Sequence, residues 1–100
     1  MAANSVVLDG HVVTVDPVRF SPAGVPSVRL TVRHGSRQVE SGHPRDVQVC
    51  LRVVALGETA AAASLLREGD AVSVKGFLAR ASHRSEWPVL HATELEAASG

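Results

Sequence analysis

Between Asp46 and Arg80 the period of the apolar residues changes twice, and that double change restricts the fold more than any other feature of the chain. In "DVQVCLRVVAL" (46–56), Val47, Val49, Leu51 and Val53 alternate with Gln48, Cys50 and Arg52, the two-residue repeat of a half-buried strand. "ETAAAASLLREGD" breaks the repeat with alanine and leucine, the strongest helix formers, and Gly69 stands where a helix C-cap belongs. A short helix is predicted over residues 59–67. "AVSVKGFLAR" (71–80) returns to strand. Upstream, "SVVLDGHVVTV" (5–15) and "SVRLTVRH" (27–34) read as strands on either side of a loop, residues 17–26, that holds three prolines. Residues 35–45 are polar and form either a hairpin connection or an extension of the flanking strands around a turn at Ser41-Gly42. Residues 81–87 read as a loop and 88–95 as the last strand.

Five strands with a short helix between the third and fourth is the order of an OB-fold, an all-β, five-stranded Greek-key barrel. Gly10 and Gly76 interrupt the first and fourth strands, where bulges let a sheet curl until it closes. Ferredoxin-like and ubiquitin-like folds need another helix count or position. One hundred residues make a single domain, 1–100. The first strand, long and valine-rich, is a candidate edge, and exposed apolar edges are ordinarily covered.

An OB-fold binds extended ligands on the face of its second and third strands, flanked by the loops between strands 1 and 2 and between strands 4 and 5. That geometry turns the charge distribution into a prediction. The chain is neutral, with ten basic and ten acidic residues, so a basic footprint is missing from the sum. It is present in the order. Residues 19–52 carry six arginines against Glu40 and Asp46, and residues 75–91 carry Lys75, Arg80 and Arg84 against Glu86. Strand 2 offers Arg29 and Arg33, the following connection Arg37, His43 and Arg45, strand 3 Gln48 and Arg52, and the last loop Arg80, His83, Arg84 and Trp87. Arginine pairs with phosphate and stacks on bases, and single strands are held by a positive groove with stacking platforms. These eleven residues are the expected DNA-binding set. Only three aromatics are present; Trp87 is expected to be exposed, Phe77 to lie in the core and Phe20 to pack under the proline loop.

Catalysis is not expected. The chain has no glycine-rich phosphate loop, nucleophile elbow or HExxH motif, and its histidines and one cysteine lack zinc-ligand spacing. No catalytic residue, metal or cofactor is therefore assigned. His91, among apolar strand neighbours, reads as structural. One cysteine excludes an internal disulfide and fits a reducing compartment. No charged segment precedes an apolar run at the start, and no apolar run approaches the ~20 residues of a membrane span, so a cytoplasmic protein without a membrane partner is expected.

"VVLDG" (6–10), "SPAGVP" (21–26), "RHGSRQVESG" (33–42), "GF" (76–77) and "VLHA" (89–92) occur in an order and spacing that resembles the primosomal replication protein N family. The most specific piece is Ser-Pro-x-Gly-φ-Pro followed eight residues later by His34-x-Ser36. The resemblance implies a homodimer that binds single-stranded DNA and takes part in replication restart without performing chemistry. It implies as partners the primosomal helicase PriA and the single-stranded DNA-binding protein. His43 and Gln48 stand where better-studied relatives carry an aromatic before the proline and a tryptophan.

Overall fold

The computed structural model describes residues 2–98. Its strands are β1 (Val6–Val15), β2 (Arg19–Phe20), β3 (Pro26–Glu40), β4 (His43–Leu56), β5 (Ala71–Ser82) and β6 (Ser85–Ala97), with one helix, α1 (Glu58–Ser64), between β4 and β5. The hydrogen-bonded order is β1-β5-β6-β4-β3-β2, and a further β1–β3 pairing closes it on itself. β4 and β6 run parallel over Val53–Ala55 and Leu90–Ala92; the other pairings are antiparallel. The closed ring of β1, β3, β4, β6 and β5, with α1 after β4, is the expected OB-fold.

Alternation builds the core. Val28, Leu30 and Val32 of β3, Val53 and Ala55 of β4, Val72 and Val74 of β5 and Leu90 of β6 are each almost wholly removed from solvent. α1 plugs the barrel with Ala60 and Ala63, and Leu66 follows behind it. Alanine at these positions lets the helix backbone approach the strands closely. Leu65 points out and is exposed, so only the second residue of the Leu65-Leu66 pair serves the core.

Both long hairpins run further than the core strands. β3 and β4 pair without interruption from Ser27–Leu56 to Glu40–His43, so of the two alternatives for residues 35–45 the structure has the strand extension. The turn falls at Ser41-Gly42, both with positive φ, as a two-residue hairpin loop requires. In the same way residues 81–87 are mostly strand, with only His83-Arg84 between Ser82 and Ser85. Beyond the barrel both faces of a ribbon are wet, so the apolar side of the alternation vanishes while the backbone ladder continues. The helix is likewise shorter than predicted, ending at Ser64. Within the proline loop Arg19–Phe20 pairs with Ser27 and Pro26 as a two-residue strand that sequence did not reveal.

Two aromatics lie elsewhere than expected. Phe77 is 41% exposed and stacks on His91 with ring centroids 5.2 Å apart, outside the core. Phe20 is 69% exposed rather than packed under its loop. The pair Phe77–His91 sits on the outer face because Phe77 is out of phase with the inward-facing Val72 and Val74 of β5; the extra residue at the neighbouring bulge, Thr93, lies on β6.

β1 is not the free edge it resembled. His11 pairs with Ala71 of β5 on one side and Arg33 of β3 on the other. Past that point β3 diverges, and the side of Val6–Gly10 that would face it has no strand partner among the described residues. His34 spans the gap: its Nδ1 donates to the Asp9 carbonyl at 2.6 Å, and its Nε2 meets Ser36 Oγ at 2.7 Å. Gln38 Nε2 donates to the same hydroxyl at 2.9 Å. The His-x-Ser motif therefore pins β1 to the root of the β3–β4 arm. Asn4 closes the other side of this end, its side-chain amide exchanging two hydrogen bonds with the Leu78 backbone at 2.8 and 2.9 Å in place of a continued ladder.

Candidate nucleic-acid interface

Cross-strand partners point to the same side of a sheet, so the register fixes the composition of each face. On the outer face of the barrel the rows run across β1, β3 and β4: Asp16, Arg29 and Val54; then Thr14, Thr31 and Arg52; then His11, Arg33 and Cys50. Gly35 with Gln48 and Arg37 with Asp46 continue this face along the arm. Five of the sequence-predicted residues on the first hairpin, Arg29, Arg33, Arg37, Gln48 and Arg52, therefore share one surface. Successive rows lie about 7 Å apart, twice the rise of a strand.

His43 and Arg45 do not share it. They pair with Glu40 and Gln38, two positions in phase with Leu30 and Val32, and so occupy the opposite face of the arm. The ion pair Arg45 Nη1–Glu40 Oε1 at 2.9 Å lies on that side. The sequence groups both residues with the arginine row because it leaves residues 35–45 open between a connection and a strand extension, and only the paired strands give each residue a side.

Arg80, His83, Arg84 and Trp87 form a second group on the β5–β6 hairpin, around an open cleft lined only by residues of that hairpin. Trp87 is 80% exposed, as expected of a stacking platform. The Ser82 hydroxyl accepts from Arg84 N at 3.3 Å and the Ser85 hydroxyl from Trp87 N at 3.2 Å, so the two serines shape the turn that presents both side chains.

The arginines differ in what already holds them. Arg52 Nη2 meets Asp16 Oδ2 at 3.1 Å while its Nη1 donates to Thr31 Oγ1 at 2.9 Å. Arg37 lies 3.8 Å from Asp46. Arg29, Arg33, Arg80 and Arg84 have no carboxylate within ion-pairing distance among the described residues. Of the sequence-predicted arginines, these four are open to an incoming anion. Arg33 also borders a groove with Gln48 on one wall and Val12, Val13 and Gly69 along the other. One further arginine, Arg19, joins this face through β2, where it pairs with Ser27 in phase with Arg29. Its signal was the count of charge in residues 19–52, but without β2 no face could be given to it. Among the described residues no cluster of three or more His, Cys, Asp or Glu side chains is placed to hold a metal ion.

Comparison with known proteins places this arrangement in a family. A family model described as another single-strand binding protein family matches residues 4–94. Replication restart protein PriB of Bordetella pertussis is 35% identical over 97 residues, covering 97% of this chain and 91% of its own length. That of Neisseria gonorrhoeae is 36% identical over 84 residues, covering 84% and 83%. The solved structure of PriB from Ralstonia solanacearum superposes with a TM-score of 0.86 at 28% identity, over 96% of this chain and 98% of that one. A small single-stranded DNA-binding protein from Streptomyces coelicolor shares the fold, with a TM-score of 0.76 over 98% of this chain and 95% of that one at 23% identity.

Proposed function

The chain belongs to the replication restart protein PriB family, within a broader family of single-strand binding proteins, and from that premise we propose that it binds single-stranded DNA during replication restart and performs no chemistry itself. The observation that carries the reading is the outer face of β3 and β4, where Arg29 and Arg33 stand in alternate rows with no carboxylate partner and polar groups between them. Phosphates would lie against these two arginines and against Arg80 and Arg84, with Trp87 stacking on a base. Arg37, Arg52 and Gln48 would line the same path, and His43, Arg45 and His83 would meet a strand that turns around the hairpin tips. The helicase PriA and the single-stranded DNA-binding protein are the proposed partners, in the cytoplasm.

Trp87 is the only tryptophan and the chain has no tyrosine, so its emission reports on one position. Titration with a mixed-sequence single-stranded oligonucleotide is expected to quench it. With about four to six phosphates engaged, the slope of log K against log salt is expected near −3 to −4, at ~0.7 per contact. An oligonucleotide that leaves both Trp87 emission and its own anisotropy unchanged at low salt would replace this reading with a protein-interaction module, which the two ion pairs within the β3–β4 hairpin and the pair Arg52–Asp16 would suit.

We further propose a homodimer in which two copies cover the open side of Val6–Leu8. That side bears unpaired backbone beside Val7, which is 62% exposed, and such an edge is ordinarily covered. Sedimentation equilibrium at micromolar concentration is expected to give twice the chain mass; a monomer there would remove the dimer from the proposal.

A further inference from the structure

A small cleft lies between β2 and β3, at the end of the arginine rows nearest the proline loop. Asp16, Arg19, Ser27 and Arg29 line it. Its volume, about 120 Å³, is several times the ~10–15 Å³ that one enclosed water needs, so the oxygens of one phosphodiester group have room in it. Neither Arg19 nor Arg29 has a carboxylate within ion-pairing distance among the described residues. The Ser27 hydroxyl reaches the Arg19 carbonyl only at 3.5 Å, a long contact that leaves it available to another acceptor.

Asp16 is the anomaly. A carboxylate at the rim of a cationic cleft works against an anionic ligand, and this one is fixed from two directions. Its backbone N–H donates to the Arg29 carbonyl at 2.8 Å, continuing the β1–β3 ladder and turning its side chain to the outer face. There it meets Arg52 Nη2 at 3.1 Å, while Thr31 Oγ1 accepts from the other arm of the same guanidinium at 2.9 Å. The carboxylate thus holds Arg52 much as a phosphate oxygen would. Three arginines surround one acid, an excess of two positive charges at a site of the right size.

We propose that this cleft is a phosphodiester subsite formed by Arg19, Arg29 and Ser27, and that Asp16 is its built-in competitor, occupying Arg52 until a nucleic-acid phosphate displaces it. The proposal rests on the reading of the β3–β4 face as a single-strand binding surface, and extends that surface past Arg29 to β2. Asp16 lowers the affinity the arginines could otherwise deliver and keeps the complex readily reversible. The site reads no sequence, because its ligand is backbone.

The test compares the parent with Arg19→Gln and Asp16→Asn, using anisotropy of a labelled mixed-sequence single-stranded oligonucleotide across salt. One phosphate contact contributes about 0.7 to the salt slope, hence about 5-fold in affinity at 0.1 M salt. Arg19→Gln is expected to bind about 5-fold more weakly with a slope shallower by about 0.7. Asp16→Asn is expected to bind about 5-fold more tightly with a slope steeper by about 0.7, and thermal melts matching the parent's establish that both variants fold. Arg19→Gln indistinguishable from the parent, or Asp16→Asn no tighter, overturns the proposal while leaving the wider reading intact. A parent that binds no oligonucleotide at low salt overturns the wider reading first. In a third arm, inorganic phosphate is titrated against the Arg19 Nε–H resonance. A shift with inorganic phosphate but none with the oligonucleotide would make the cleft a free-anion site and overturn the proposal.

Discussion

Gly76→Ala is expected to destabilise the barrel by roughly 4 kcal/mol or more, the range reserved for substitutions the structure cannot absorb. A methyl group built at residue 76 overlaps the carbonyl oxygen of His91, lies 2.8 Å from the carbon of that carbonyl and 3.1 Å from Ala92 Cα. All three atoms belong to the backbone of the paired strand, so no side chain can swing away. The strands would have to part at the bulge where Thr93 Oγ1 also donates to the Lys75 carbonyl at 3.2 Å. Because domains of this size are stable by about 5–15 kcal/mol, most of the margin would go. Urea denaturation followed by circular dichroism measures it; a midpoint within experimental error of the parent's would show that β5 and β6 can separate freely there. Gly10 faces the same restriction from the Arg33 carbonyl and Val32 across the β1–β3 pairing.

Replacing Arg29, Arg33, Arg80 and Arg84 together with alanine is expected to weaken single-strand binding by 10²–10³-fold at 0.1 M salt. The figure comes from about 5-fold per lost phosphate contact, taken four times. The salt slope should flatten by about 2.8 in the same experiment. All four side chains project from the outside of hairpins, so thermal stability should move little. Neutralising Arg45 should matter less, because Glu40 already compensates its charge and it occupies the other face of the arm. Oligonucleotide titration across salt measures both quantities. A quadruple variant that kept the parent's slope would place the phosphates on other residues.

The barrel was legible because its core strands alternate cleanly and because one helix-like segment falls between the third and fourth. Val28, Leu30 and Val32 announce β3, and Val72 and Val74 announce β5, since one side of each strand is dry. The arms were illegible for the converse reason. Ser36, Arg37, Gln38, Val39 and Glu40 have no apolar side to display, yet they pair residue for residue with Val47 to His43. Losing the arm meant losing its parity, and with it the separation of Arg37 from Arg45. Phe77 misled through its apolar character: it is out of phase with Val72 and Val74, so the alternation of β5 itself turns it to the outer face, where it stacks on His91. The opposite case is His34-x-Ser36, which stood out as a motif without a reason. Its reason is a hydrogen-bonded bridge to Asp9 across a gap that only folding creates.

The matched charges bear on how quickly the chain could find a partner as well as on how tightly it could hold one. Ten cations and ten anions cancel in sum, and Arg37, Arg45, Arg52 and Lys75 each lie within 4 Å of an acid. Beyond the ~10 Å over which salt screens at 0.1 M, such a surface projects little net field toward a polyanion. Electrostatic steering, which speeds association by 10- to 1,000-fold where a protein carries a strong field of one sign, is largely absent here. Encounters would then occur at the slower rates of unguided diffusion, and the open arginines would act only once the two surfaces were already close.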